Sequence, residues 1–140
     1  MEPAEPRQAR WEVRLTTEAE RWLRSLNPRA ASHVGALLEM LCEHGPQLRG
    51  PYVKRVRGSR HHNMKELRPL PGNIRVLFAF DRRRAAIVLL GGDKTGEWNG
   101  WYRRNVSRAD ALLDRHLRET GQEARWRAPE AGTRSGARSR

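Results

Sequence analysis

Asn63-Met64-Lys65-Glu66-Leu67-Arg68, followed across a short linker by Ile74-Arg75-Val76-Leu77-Phe78-Ala79-Phe80, reads as two neighbouring strands. Beyond the turn Asp81-Arg82-Arg83-Arg84 comes an apolar run, Ala85 to Leu90, suited to a central strand, which ends in Gly91-Gly92-Asp93-Lys94. Three consecutive strands with such short connections predict an antiparallel meander. Side chains alternate across a strand, so if Ile74, Val76, Phe78 and Phe80 face the helices, then Arg75, Leu77 and Ala79 face the other way. Leu67 is the natural core residue of the preceding strand, which sends Glu66 and Arg68 to the face of Arg75. Asp93 and Lys94 then arrive at the sheet rim, followed closely by Trp98, Trp101 and Tyr102. A sheet of this kind gathers cations and aromatic rings at one place, the combination single-stranded RNA requires: phosphates take charge-assisted hydrogen bonds and unstacked bases stack on rings.

Composition points the same way. The chain has 140 residues, a formal net charge of +12 and a sequence pI of about 11.4, the balance of a protein that seeks polyanions. Met1–Leu48 carries a net −1, Arg49–Arg84 +9 and Ala85–Arg140 +4, so the excess is concentrated around the predicted meander. The length fits one domain. No apolar run approaches the roughly 18 residues of a membrane span, and the polar start, with two prolines before Arg10, lacks a signal-peptide core. A cytoplasmic location is the expectation. Cys42 is the single cysteine, so an intrachain disulfide is impossible, and it is expected to be a small core residue on a helix.

Upstream of the meander the hydrophobic period changes several times. Trp11, Val13 and Leu15 alternate with polar residues as a half-buried strand requires. Thr17 and Glu20 fit a capping box for a first helix with Trp22, Leu23 and Leu26 on one face, ended by Asn27-Pro28. Val34, Leu37, Leu38 and Leu41 mark a second helix, stopped by Gly45-Pro46. Tyr52–Val56 is strand-like but weaker than Asn63–Arg68. Ser107, with Asp110 at capping-box distance, predicts the start of a last helix bearing Leu112, Leu113, His116 and Leu117. Domain limits of 11–120 follow, with 1–10 and the arginine-rich 121–140 expected to be disordered, because a Gly/Ser/Ala/Pro mixture buries too little surface to offset ordering entropy.

The element order, the Met64–Arg68 strand, the Ile74–Phe80 strand, and Gly92-Asp93-Lys94 leading to Trp98-Asn99-Gly100-Trp101-Tyr102 resemble the RelE/HigB-like toxins of type II toxin–antitoxin systems, in particular their phage-related branch. The resemblance covers roughly Trp11 to Thr120. It implies an α+β fold, β-α-α-β-β-β-α, with a mostly antiparallel sheet and helices packed on one face. It also implies a ribosome-dependent mRNA endonuclease that cuts without metal or cofactor, the 2′-hydroxyl of the substrate attacking the adjacent phosphate. Arg68 and Arg75 would clamp that phosphate, Lys94 would stabilise the phosphorane or the leaving oxygen, and Tyr102, with Trp101 second, would orient or stack on a base. Where some relatives carry two lysines this chain has Met64 and Glu66, which leaves the general base open. Glu66 can take the proton or simply hold the arginines in place, since a carboxylate beside two guanidiniums is a weak base. Lys65, on the core side or sheet edge, and Arg57 and Arg60 in the basic stretch are further RNA-contact candidates. His61 and His62 point to opposite faces of a strand and lack other spaced ligands, which argues against a metal. The implied partners are a helix-turn-helix-type antitoxin and mRNA in the ribosomal 30S A site, with no membrane. Two other readings remain open: a noncatalytic binding protein on the same scaffold and a ParE-like toxin directed at gyrase.

Overall fold

A computed structural model describes residues 10–123; most of the expected disordered ends, 1–9 and 124–140, lies outside the described residues. The chain runs β1 (Val13–Leu15), α1 (Thr17–Arg24), α2 (Pro28–His44), a 3-10 turn (Gly45–Gln47), β2 (Val53–Arg55), β3 (Lys65–Leu67), β4 (Ile74–Phe80), β5 (Ala86–Asp93) and α3 (Trp98–Glu119). One five-stranded sheet has the order β1-β5-β4-β3-β2. The meander β3-β4-β5 is antiparallel, β2 adds antiparallel to β3, and β1 closes the other edge parallel to β5. The α+β class and the mostly antiparallel sheet are as expected. The weaker Tyr52–Val56 segment contributes a strand as well as Asn63–Arg68, which makes five. Among the described residues no helix is long and apolar enough to cross a membrane.

The helices do not share one face. Ala19, Val34 and Leu41 of α1 and α2 pack with Leu67, Val76, Phe78, Ala86 and Val88. Trp101, Val106, Ala109 and Leu113 of α3 pack on the opposite side with Met64, Leu77, Ala79, Ile87 and Leu89. The reason is visible in β4 and β5, whose residues are apolar at both parities, so each face needs its own cover. A register shift pairs Leu77 with Leu90 but Phe78 with Val88. Leu89 is the extra residue of this bulge, and both Leu89 and Leu90 bury on the α3 side.

Local signals set the helix ends one or more residues from where the spacing places them. Thr16, not Thr17, caps α1, its side chain accepting from the Ala19 amide. Asn27 ends the approach to α2 by capping it, with Pro28 in the first turn where its missing N–H costs nothing. The last helix begins at Trp98, nine residues before Ser107, which is exposed in its middle. Asp110 is buried and accepts from Ser59 Oγ and the Arg60 amide at 2.5 and 3.0 Å. The Ser-x-x-Asp spacing is therefore a tertiary tie, pinning the β2–β3 loop to α3. Cys42 is partly buried on α2.

Two further features hold the layers together. Gly91 and Gly92 face opposite helical layers: a Cβ at Gly91 would fall inside the Trp22 ring, and one at Gly92 would lie 2.8 Å from Trp101 Nε1. Near the chain end, Asp81 receives His116 Nε2 at 2.8 Å and Gln122 Nε2 at 3.0 Å, while Gln122 Oε1 accepts from the Arg82 amide. Gln122 is 6% exposed, so the packed domain reaches past 120. Burial alone would push the Asp81 carboxyl up, but hydrogen bonds from His116, Gln122 and the Ala85 and Arg83 amides outweigh it and hold it below its ordinary value.

Two stability predictions follow from this packing. Gly91→Ala should lower the thermal midpoint by overpacking against Trp22, at about 1–3 kcal/mol; an unchanged midpoint in a melting experiment would show that the indole moves freely. A depressed carboxyl stabilises above its unfolded pKa, and that stability is lost as pH falls through its folded pKa. Asp81→Asn should therefore cost about 1–3 kcal/mol at neutral pH and flatten the loss of stability below about pH 4, as read by denaturant unfolding across pH.

Candidate functional site

The α3 side of the sheet is apolar in its middle and changes character at one end. Extending the pairing of Leu67 with Val76 places Arg68 opposite Arg75, which itself pairs with Gly92. Glu66 pairs with Leu77 on one side and with Lys54 on the other. The pleat thus aims Lys54, Glu66, Arg68 and Arg75 to one face, under the first turns of α3. Lys94 joins them from the end of β5, its amide donating to the Asn73 carbonyl at 3.0 Å.

The geometry is that of a buried cationic cluster around one carboxylate. Glu66, Arg75 and Lys94 are 5%, 4% and 3% exposed. Tyr102 donates its hydroxyl to Glu66 Oε1 at 2.7 Å. Arg68 Nε and Arg75 Nε stand 3.9 and 4.0 Å from the Glu66 oxygens, within ion-pair range but beyond hydrogen-bonding distance. Both Nε groups are buried and have no hydrogen-bond partner among the described residues. The Arg75 guanidinium is held instead by Nη1, which donates to the carbonyls of Gly72 and Ile74 at 2.9 and 2.8 Å. Buried donors are almost always paired, and these two, facing Glu66 at 3.9 and 4.0 Å, keep hydrogen-bonding capacity that an anion could take up.

Electrostatics agree with the geometry. Burial, with Arg75 beside it, lowers the Lys94 pKa against the opposing pull of Glu66. The ammonium lies 3.1 Å from the centroid of the Trp98 ring and 5.4 Å from that of Tyr102. Burial and the Glu66 hydrogen bond push the Tyr102 phenol up to about 12, so it is a donor that keeps its proton.

Of the residues singled out from sequence, Arg68, Arg75, Glu66, Lys94 and Tyr102 meet here. The others do not. Lys65 shares its parity with Leu67 and pairs with Phe78, which puts it on the α1/α2 side of the sheet. Trp101 is 5% exposed in the core, edge-on to Tyr102 at 5.1 Å, so it has no free face for a base. Arg60 lies on the β2–β3 loop and pairs with Asp114 at 2.6 Å. Arg57 is exposed on the same loop. His61 also belongs to this tie, its Nε2 2.8 Å from Asp114, and His116 is a partly buried partner of Asp81. Lys54 was missed because its position depends on β2, whose pairing no local pattern reveals. Trp98 was visible as an aromatic beside Lys94, and the structure distinguishes it from Trp101 by leaving it 56% exposed.

Residues 21–114 match the family model described as Phage derived protein Gp49-like (DUF891). The chain belongs to this family, of RelE/HigB type. It is similar to a Mycobacterium tuberculosis protein named toxin HigB3, at 49% identity over 105 residues that cover 75% of this chain and 92% of that one. A second, named toxin HigB2, is 45% identical over 111 residues, and the chain spans 55% of its length. Among solved structures, the archaeal RelE–RelB complex of Pyrococcus horikoshii matches 61% of this chain and 97% of its own, at 17% identity and a TM-score of 0.51, a likeness of fold.

For this RelE/HigB-type chain the polar cluster makes a direct prediction. The Tyr102 phenol should remain protonated past the ordinary tyrosine range of about 10, and Glu66→Gln should bring its ionisation down by removing the charge it faces. Phenolate absorbance in a Tyr52→Phe background reads Tyr102 alone; identical titrations with and without Glu66 would refute the coupling.

Proposed function

We propose that this chain is the toxin of a toxin–antitoxin pair and that it cuts mRNA on the ribosome, in the cytoplasm, by metal-independent attack of the 2′-hydroxyl on the neighbouring phosphate. The observation that carries the reading is the pair of buried Nε–H donors of Arg68 and Arg75, without a hydrogen-bond partner among the described residues, which both face Glu66 beside the buried Lys94. A guanidinium presents donors in a planar fork that matches phosphate, and three cations facing one carboxylate leave an excess of positive charge that a phosphodiester neutralises.

In this reading Arg68 and Arg75 hold the two non-bridging oxygens and stabilise the charge that builds as the 2′-oxygen bonds to phosphorus. Tyr102 keeps its proton and serves as a donor, which leaves Glu66 and Lys94 to carry the two proton transfers. Glu66 accepts the 2′-hydroxyl proton at Oε2, the oxygen that Tyr102 does not occupy, and the Lys94 ammonium, with its pKa lowered by burial, gives a proton to the 5′-oxygen as the P–O5′ bond breaks. The products are a cyclic phosphate and a 5′-hydroxyl. Lys54, Arg57 and Arg60 supply sequence-independent attraction to the RNA backbone at the β2 edge. The partner that silences the site is a helix-turn-helix-type antitoxin whose acidic or amphipathic segment covers this basic face; the RelE–RelB complex, alike in fold, supports an antitoxin partner.

Arg75→Ala should lower mRNA cutting about 10²–10³-fold, the cost of removing one transition-state donor, and abolish growth arrest while the circular dichroism of the fold persists. Transcriptome-wide mapping of new 5′ ends after induction checks this. Cuts that persist in the folded variant overturn the mechanism, and arrest without cuts would turn the assignment toward gyrase or another protein target.

A further inference from the structure

Tyr52 and Trp98 are the exposed large hydrophobic residues of the described chain, at 37% and 56% exposure, and both lie at the cationic end of the sheet. Single exposed aromatics scattered over a surface call for no explanation. These two are not scattered. The Arg68 amide donates to the Tyr52 carbonyl at 2.8 Å, which extends the β2–β3 ladder by one pair and gives the row Tyr52, Arg68, Arg75, Gly92 across four strands. Alternation along β2 puts Tyr52 and Lys54 on the face of Val56, which packs in the α3-side core. Trp98 opens α3 just after the β5 end of the row, 56% exposed and with its ring centroid 3.1 Å from the Lys94 ammonium.

We propose that Tyr52 and Trp98 are two base-stacking platforms that bracket the Arg68/Arg75 clamp and select the nucleotides on either side of the cut. The inference rests on the ribonuclease reading above. The row spans three strand spacings, roughly 14 Å at about 4.8 Å each, several times the ~3.4 Å rise of stacked bases. Bases seated on both rings are therefore splayed apart with the phosphate between them, the form in which proteins read single-stranded RNA. Splaying also aligns the 2′-oxygen with the bond to be broken, because a stacked, helical backbone holds it to one side. Lys94 contributes twice, to the phosphate and by fixing the Trp98 ring.

The test compares cut sites made in cells by the full wild-type chain, Tyr52→Ala, Trp98→Ala, Tyr52→Phe and Trp98→Phe. Base preference is the readout, since a merely structural role, or release of Lys94, would change the overall rate without changing which bases are chosen. Each alanine variant should lose preference at one flanking nucleotide, a different one for each, and cut the favoured sites about 5- to 150-fold less often, the loss of one stacked base. Each phenylalanine variant should retain the preference. Wild-type cuts with alanine variants that choose the same bases would overturn the inference and leave the ribonuclease reading intact; no cuts by the wild type would sink the ribonuclease reading and this inference with it. Thermal melting of the purified proteins should show the four variants as folded as the wild type, as expected for exposed side chains.

Discussion

Burial of β4 and β5 between two unlike helical layers is the constraint on which the rest of the structure depends. A strand covered on both faces must be apolar at every position, and Val76 to Ala79 and Ala85 to Leu90 are. Where α3 begins, that rule is broken: Glu66, Arg75 and Lys94 are as buried as the core yet charged. Removing charge from water is expensive unless each ion is paired and hydrogen-bonded. Here three cations share one carboxylate, two guanidinium donors have no hydrogen-bond partner among the described residues, and burial lowers the pKa of Lys94. Charges perturbed and incompletely paired in this way mark the cluster as the candidate site.

The position of α3 ties the cluster to the rest of the domain. Its apolar stripe rests on the sheet, but its register is set by polar contacts: Asp110 and Asp114 hold the β2–β3 loop, and His116 with Gln122 holds Asp81 at the β4–β5 turn. These lie in the middle and at the C-terminal end of the helix. Its first turns are attached differently, through Trp101 against Gly92, Tyr102 on Glu66 and Trp98 on Lys94. The helix is thus anchored away from the site and touches it through three aromatic rings, of which Trp101 fills the core, Tyr102 orients the carboxylate and Trp98 faces solvent. Overall fold and site are joined by the two glycines of β5, because only without a Cβ can both Trp22 and Trp101 approach the sheet from opposite sides.

The amino-acid sequence by itself determined the class of fold, the meander and the parity of its strands. Period-two alternation is a local property, so Arg75 opposite to Val76, and Glu66 and Arg68 opposite to Leu67, could be read without knowing any partner. The same holds for α2, whose stripe and stop signals are contiguous in the chain. What tertiary structure alone decided has a common physical cause: it depends on contacts between residues far apart in sequence. The apolar β4 and β5 call for two covers, but only packing shows that α3 takes the second face. Ser107 and Asp110 have the spacing of a cap until Ser59 and Arg60, some fifty residues away, claim the carboxylate. Trp98 and Trp101 are three apart on one helix, and burial of one with exposure of the other follows from the place where Gly92 lets an indole in. Lys54 and Tyr52 reach the face of Arg68 and Arg75 through the register of an edge strand, which is set by pairing with β3 and by nothing in the three residues of β2 themselves.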